Sequence, residues 1–209
     1  MALFSPLKIN ALILRATPGR GRVWFVQCFS DQLGRISFSA IPRQGGSFSP
    51  FCLIEATICP QANDFAMAKE IEILDTFSEL RSHPEASKGA LLLRAIVEKC
   101  LPMHAPAHDV WQLFLSLLEL LPSFHDWKAA PLLLAFTFFE HEGVSPRSII
   151  DLPTLTSEER EVARHLLEAN ETAWRKAKIP DNLFTAAMET IGVERLLQKP
   201  LEENAKGGT

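Results

Sequence analysis

Hydrophobic and polar positions change period about one third of the way along the chain, which divides it into two parts. In the first part the apolar residues come in short runs broken by glycine and proline. Ala11–Arg15 is a β-prone run closed by Pro18, Gly19 and Gly21. From Val23 to Phe29, Trp24, Val26 and Cys28 alternate with Val23, Phe25, Gln27 and Phe29. Both sets are mainly apolar, so one side is expected to cover a core while the other presents aromatics. Asp31-Gln32-Leu33-Gly34 predicts a turn with Gly34 at positive φ, and Arg35–Ile41 returns as a strand. Gln44-Gly45-Gly46-Ser47 predicts a flexible loop before the strand Phe51–Ile58, and Phe65 to Ile73 reads as a further strand or as the transition to helix. Short strands joined by Gly-rich turns suit a small barrel.

From about residue 76 the period becomes 3.6. Leu91, Leu92, Ala95, Ile96 and Cys100 share one helical face, and Val110, Leu113, Phe114, Leu117, Leu118 and Leu121 share another that stops at Pro122. Leu132 to Phe139 is apolar nearly all round, the pattern of a helix at the centre of a bundle, with Gly143 and Pro146 closing it. Thr156 followed by Glu159 predicts a capping box at the start of a helix that runs to Ala169. Two more helices are expected at 170–178 and 181–198, separated by Ile179-Pro180, and 201–209 reads as a flexible tail. The expected fold class is therefore α+β, a barrel at 1–76 followed by an all-α helical bundle at 77–200.

Charge sharpens this division. The 209 residues carry a net charge of −4, but residues 1–60 hold only Asp31 and Glu55 against Lys8, Arg15, Arg20, Arg22, Arg35 and Arg43. A basic segment rich in Arg suggests phosphate as its partner, because the planar guanidinium matches phosphate oxygens and stacks on bases. Trp24, Phe25, Phe29 and Phe38 lie among these cations. Small barrels hold single strands in this way, with phosphates along cations and bases on rings. By strand alternation, about half of those rings are expected to fill the core instead.

Other chemistry finds little support. His104 and His108 are four apart, but Pro106 between them spoils a helical metal face and there is no HExxH. His141 sits where a cation complements a helix C-terminus, a structural place. No GxSxG elbow surrounds Ser145 or Ser148, and Gly19, Gly21, Gly45 and Gly46 match no phosphate-binding loop. Cys28, Cys52, Cys59 and Cys100 lack CxxC spacing and read as reduced thiols of a cytoplasmic protein, Cys100 in the core. Lys8 interrupts the first apolar stretch, so no secretory signal is expected, and no apolar run is long enough for a bilayer. Neither an enzyme nor a bound cofactor is expected.

The order of parts resembles the RecO family of recombination mediators from about Ile13 to Leu197. Ile13-Leu14-Arg15 looks like that family's first strand, and Phe29-Ser30-Asp31-Gln32-Leu33-Gly34-Arg35 like its strand, turn and Gly-basic return. Ser49-Pro50-Phe51 resembles the opening of its next strand. Glu72-Ile73-Leu74-Asp75-Thr76-Phe77-Ser78-Glu79-Leu80-Arg81 is similar to the link into its helical domain, and Glu142-Gly143-Val144-Ser145-Pro146 to the turn closing its central helix. The resemblance implies an N-terminal OB-fold, binding of single- and double-stranded DNA, strand annealing, recombinase loading with RecR, and contact with the C-terminal tail of single-strand-binding protein. It implies no enzymatic turnover.

The expected DNA-binding residues are Lys8, Arg15, Arg20, Arg22, Arg35, Arg43, Phe29 and Phe38. Arg147, Arg175, Lys176 and Lys178 are the expected partner-binding cations of the bundle. Ala40-Ile41-Pro42-Arg43-Gln44 keeps one cation where the family carries several, and the bundle is acidic. An interaction adaptor with weak or lost DNA binding is therefore the alternative. The family's four-cysteine zinc insertion has no counterpart, since Arg147 to Leu155 contains no cysteine. Elemental analysis of the purified protein is expected to give no zinc, and a chelator to leave its thermal unfolding unchanged.

Overall fold

A computed structural model describes residues 5–42, 46–59, 66–141 and 145–193, with the side chain of His141 outside that description. The expected tail at 201–209, Arg43 and the turn at Glu142-Gly143-Val144 lie outside the described residues. The chain forms two compact units. One comprises Met1–Ser82 with Leu101–Glu119, the other His83–Cys100 with Leu120–Thr209. The unit that holds the barrel expected at 1–76 thus also includes a helical stretch from the second half of the chain.

In the first unit, β1 (Leu7–Pro18), β2 (Trp24–Ser30), β3 (Gly34–Ala40), β4 (Leu53–Cys59) and β5 (Ala66–Asp75) form a closed barrel in the order β1-β2-β3-β5-β4. All neighbours are antiparallel except β3 and β5, a parallel pair only two residues long, Phe38↔Ala66 and Ser39↔Met67. The segment 66–75, which left strand and helix both open in the sequence, is a strand. Inward residues of all five strands pack together, among them Ile13, Val26, Cys28, Ile36, Phe38, Ile54, Ile58 and Ala68. Three irregularities bend the ladder: β1 shifts register between Ile13 and Arg15, and β5 carries an extra residue twice against β4, at Leu74 between the Leu53 and Ile54 pairings and opposite Ala56, where Glu70 takes a φ of 52°.

The hairpin between β2 and β3 anchors the inserted stretch. Buried Ser30 accepts the amides of Gln32 and Leu33 through its hydroxyl, which shapes the turn, and Gly34 has a φ of 67°. A Cβ on Gly34 would lie 2.0 Å from the Ala105 carbonyl oxygen. The Arg35 guanidinium donates to the Leu101 carbonyl at 2.6 Å, and the His104 amide donates to the Arg35 carbonyl at 2.8 Å. Phe29 then meets Trp111 and Phe114 of α3 (His108–Leu120) edge-on, at centroid distances of 5.3 and 5.9 Å. A short helix, α1 (Ser78–Ser82), follows β5 in the same unit.

In the second unit, α4 (Ala129–His141) is apolar on nearly every side, as its sequence predicts. It packs against α2 (Pro84–Cys100), α7 (Glu171–Lys176) and α8 (Asp181–Ile191). Phe136 meets Trp174 edge-on at 6.0 Å and Trp127 meets Phe184 at 5.5 Å. Gly89 on α2 lets Leu121 approach, since an added Cβ would fall 2.9 Å from both Leu121 methyls. Two shorter helices, α5 (Arg147–Ile150) and α6 (Ser157–Glu168), pack on each other, and α6 opens with the capping box of Thr156 and Glu159. The last described helix stops at Ile191, and the end of the expected helix at 194–198 lies outside the described residues. Gly192 turns left-handed at φ 79° and takes the Met188 and Glu189 carbonyls, a stop signal that an apolar pattern does not display. Among the described residues no helix is long and apolar enough to cross a membrane.

Gly34→Ala combines left-handed strain with a backbone collision that no rotamer relieves. It is expected to cost roughly 3 kcal/mol or more in urea unfolding. Ala105→Gly, which leaves that carbonyl in place, is not expected to rescue it.

Candidate nucleic-acid interface

Strand register sorts the outer surface of the barrel into two faces of different chemistry. On β1-β2-β3 the outward rows are Thr17–Phe25–Ser39, Arg15–Gln27–Ser37 and Leu12–Phe29–Arg35. The first two rows are open to solvent and contain no carboxylate. Phe25 is 47% exposed, and Arg15 and Gln27 are exposed beside it. The β1–β2 connection stands next to this ring. Gly19 donates its amide to the Val23 carbonyl at 2.8 Å, Gly21 has a φ of 67°, and Arg20 and Arg22 are exposed. A Cβ on Gly19 would lie 2.9 Å from the Phe25 ring, so the ring lies over the glycine in this cationic turn. A ring flanked by guanidinium groups can stack a base while the cations hold its phosphates.

The opposite face, on β1-β4-β5, is mixed and mainly acidic. Its rows are Lys8–Thr57–Lys69 and Asn10–Glu55–Glu72. Lys8 pairs with Glu55 at 2.6 Å, and this hydrogen bond and charge raise the Lys8 pKa above its ordinary value. Thr57 donates to Glu70 at 3.2 Å. The cationic excess of residues 1–60 is therefore not a property of the whole barrel, because β5 contributes Glu70, Glu72 and Asp75.

Of the expected DNA-binding set, Arg15, Arg20 and Arg22 come together on one side, and Arg43 lies outside the described residues. Four others lie elsewhere. Phe38 points into the barrel and is fully buried, because its parity on β3 is that of Ile36 and Ala40. Phe29 does point outward, yet it is fully buried beneath Trp111 and Phe114. Arg35 is half-buried, with its guanidinium committed to the Leu101 carbonyl. Lys8 belongs to the other face, paired with Glu55. Phe25 is the residue that replaces the two buried rings. Its signal in the sequence was parity with Gln27, a polar residue that marks the outward side of β2.

The partner-binding cations are less concentrated. Arg147 begins α5, while Arg175 and Lys176 end α7, where Arg175 pairs with Glu171. Of the four, only Lys178 lines the pocket of about 490 Å³ formed by Leu121, Phe124, His125, Trp127 and His83. One rim of that pocket is pinned by Asp126, which accepts the amides of Lys128 and Ile179, while Lys128 reaches Asp181 at 2.7 Å. Burial alone would lower the Lys128 pKa, but its contacts with Asp181 and Asp126 raise it, and Asp181 is lowered in turn by Lys128.

Reactive groups are sparse. His104 and His108 are both exposed, His104 in a left-handed turn and His108 at the start of α3. Burial pushes the Cys28 thiol well above its ordinary pKa, so it stays protonated and unreactive. Cys100 is half-buried at the end of α2. Among the described residues no group of three or more His, Cys, Asp or Glu is placed to hold a metal. No family model and no curated protein matches the chain.

The two kinds of ring separate by their effects on stability. Phe38→Ala and Phe29→Ala are each expected to lose about 3–5 kcal/mol in denaturant unfolding. Phe25→Ala is expected to change stability by less than about 1 kcal/mol.

Proposed function

We propose that the protein is a DNA-binding recombination mediator of the RecO type, acting without enzymatic turnover in the bacterial cytoplasm. The observation that carries this reading is the outer face of β1-β2-β3, where exposed Phe25 stands beside Arg15, Arg20 and Arg22. The strand order, with β5 between β3 and β4 and parallel to β3, is that expected of an OB-fold, whose strand 2–3 face and first loop bind oligonucleotides. Single-stranded DNA would lie across Phe25 with its phosphates on the three arginines. Annealing and recombinase loading with RecR extend this reading through the family resemblance, as does the binding of duplex DNA. The pocket edged by Lys178, His83 and His125, with Phe124 and Trp127 in its wall, would take the apolar end of the C-terminal tail of single-strand-binding protein. Glu85 and Asp126 in the same lining oppose its acidic part.

A second reading, an interaction adaptor with weak or lost DNA binding, is favoured by the acidic β1-β4-β5 face and by the engagement of Lys8 and Arg35 within the barrel unit.

Titration of oligothymidine at two salt concentrations separates the two. Three phosphate contacts predict a log–log salt slope of about −2, and replacing Arg15, Arg20 and Arg22 together by Gln should nearly abolish it. Phe25→Ala is expected to weaken binding by about 1–3 kcal/mol at every salt concentration. A folded parent protein that binds no DNA at low salt would leave the adaptor reading.

A further inference from the structure

The closed barrel is held along one seam, between β3 and β5, by a pairing of only two residues. The parallel pairing of β3 with β5 ends after Ser39↔Met67, and beyond it the two strands diverge around a groove of about 790 Å³. Buried Phe48, Ala40 and Ala68 lie along it, and two large apolar side chains stand at its edges, Ile41 57% exposed and Ile73 53% exposed. Past Met67, β5 has ladder partners on its β4 side alone among the described residues. The seam therefore combines apolar walls with a strand edge facing outward. Among the described residues Glu70 and Glu72 also line the groove, together with the cation Lys69.

We propose that this groove docks an extended segment of a partner protein, one that alternates apolar side chains with lysine or arginine. The apolar side chains would cover Ile41 and Ile73, and the cations would meet Glu70 and Glu72. An extended segment suits walls made of diverging strands, because its backbone can pair with the open edge of β5 while alternate side chains enter the groove. The bulge at Glu70 bends that edge, which limits pairing to a short segment. Nucleic acid is disfavoured by the two carboxylates. A second copy meeting edge to edge about a two-fold axis at Ile71 is disfavoured too, since it would place Glu70 of one copy opposite Glu72 of the other. The inference does not depend on DNA binding at Phe25.

The test uses the full chain with fluorescein-labelled Lys-Val-Lys-Ile-Lys-Val and its counterpart carrying Glu in place of Lys. Saturable binding of the basic peptide is expected, tighter than that of the acidic one by about tenfold or more and weakened by salt. Ile41→Asp and Ile73→Asp, both at exposed positions and checked by circular dichroism, should each weaken it by a similar factor. Glu70→Lys combined with Glu72→Lys should reverse the preference between the peptides. The proposal is overturned if the folded parent shows no saturable binding of the basic peptide, binds both peptides equally, or keeps its affinity in the two Asp variants. Oligothymidine binding that disappears in Ile73→Asp would also overturn it and assign the groove to nucleic acid.

Discussion

The close approach of Gly34 to the Ala105 carbonyl is the contact on which the barrel unit depends. Only a residue without a Cβ, at a φ of 67°, lets the 101–105 segment lie against the β2–β3 hairpin. With the segment there, Arg35 closes on the Leu101 carbonyl and the Arg35 backbone receives the His104 amide. Trp111 and Phe114 can then cover Phe29. A stretch that lies well beyond the barrel in sequence thus becomes part of its unit, and the unit is discontinuous in the chain.

This contact also decides which part of the barrel is left to bind anything. Phe25 and Phe29 share the outward parity of β2, but α3 takes Phe29 and Leu12–Arg35 close the same row, so the exposed surface retreats toward the β1–β2 turn. There Phe25 lies over Gly19 with Arg20 and Arg22 close in sequence and Arg15 one row away. The acidic residues of β5 sit on the other side of the barrel and along the briefly paired β3–β5 seam. A cationic surface and a mixed, mainly acidic one thus occupy different sides of one small barrel.

Local signals carried much of the architecture. The alternation of β2 and β3, the Asp31–Gly34 turn, the all-apolar α4 and the Thr156–Glu159 capping box each depend on residues within a few positions of one another. Their elements were legible because hydrophobic periodicity and capping are local properties. Boundaries were less so. Strand β1 extends from Leu7 to Pro18 around the short run at Ala11–Arg15, and α8 ends at Gly192, whose left-handed turn appears in no apolar pattern.

The site shows the same division. The sequence by itself determined that arginines and aromatic rings would share the strands of a small barrel, and that about half of the rings would turn inward, because a strand sends neighbours to opposite faces. Which rings those were depended on long-range pairing. Parity placed Phe38 inside, and Gln27 marked the outward side, but only the packing of residues more than eighty positions away buried Phe29 and left Phe25 in solvent. Likewise, only the pairing of β5 with β4 brought Glu70 and Glu72 to the barrel surface, where they offset part of the charge excess of the first sixty residues. Charge and periodicity are written along the chain, whereas exposure is decided by what folds over a residue, and here that came from the segment held against Gly34.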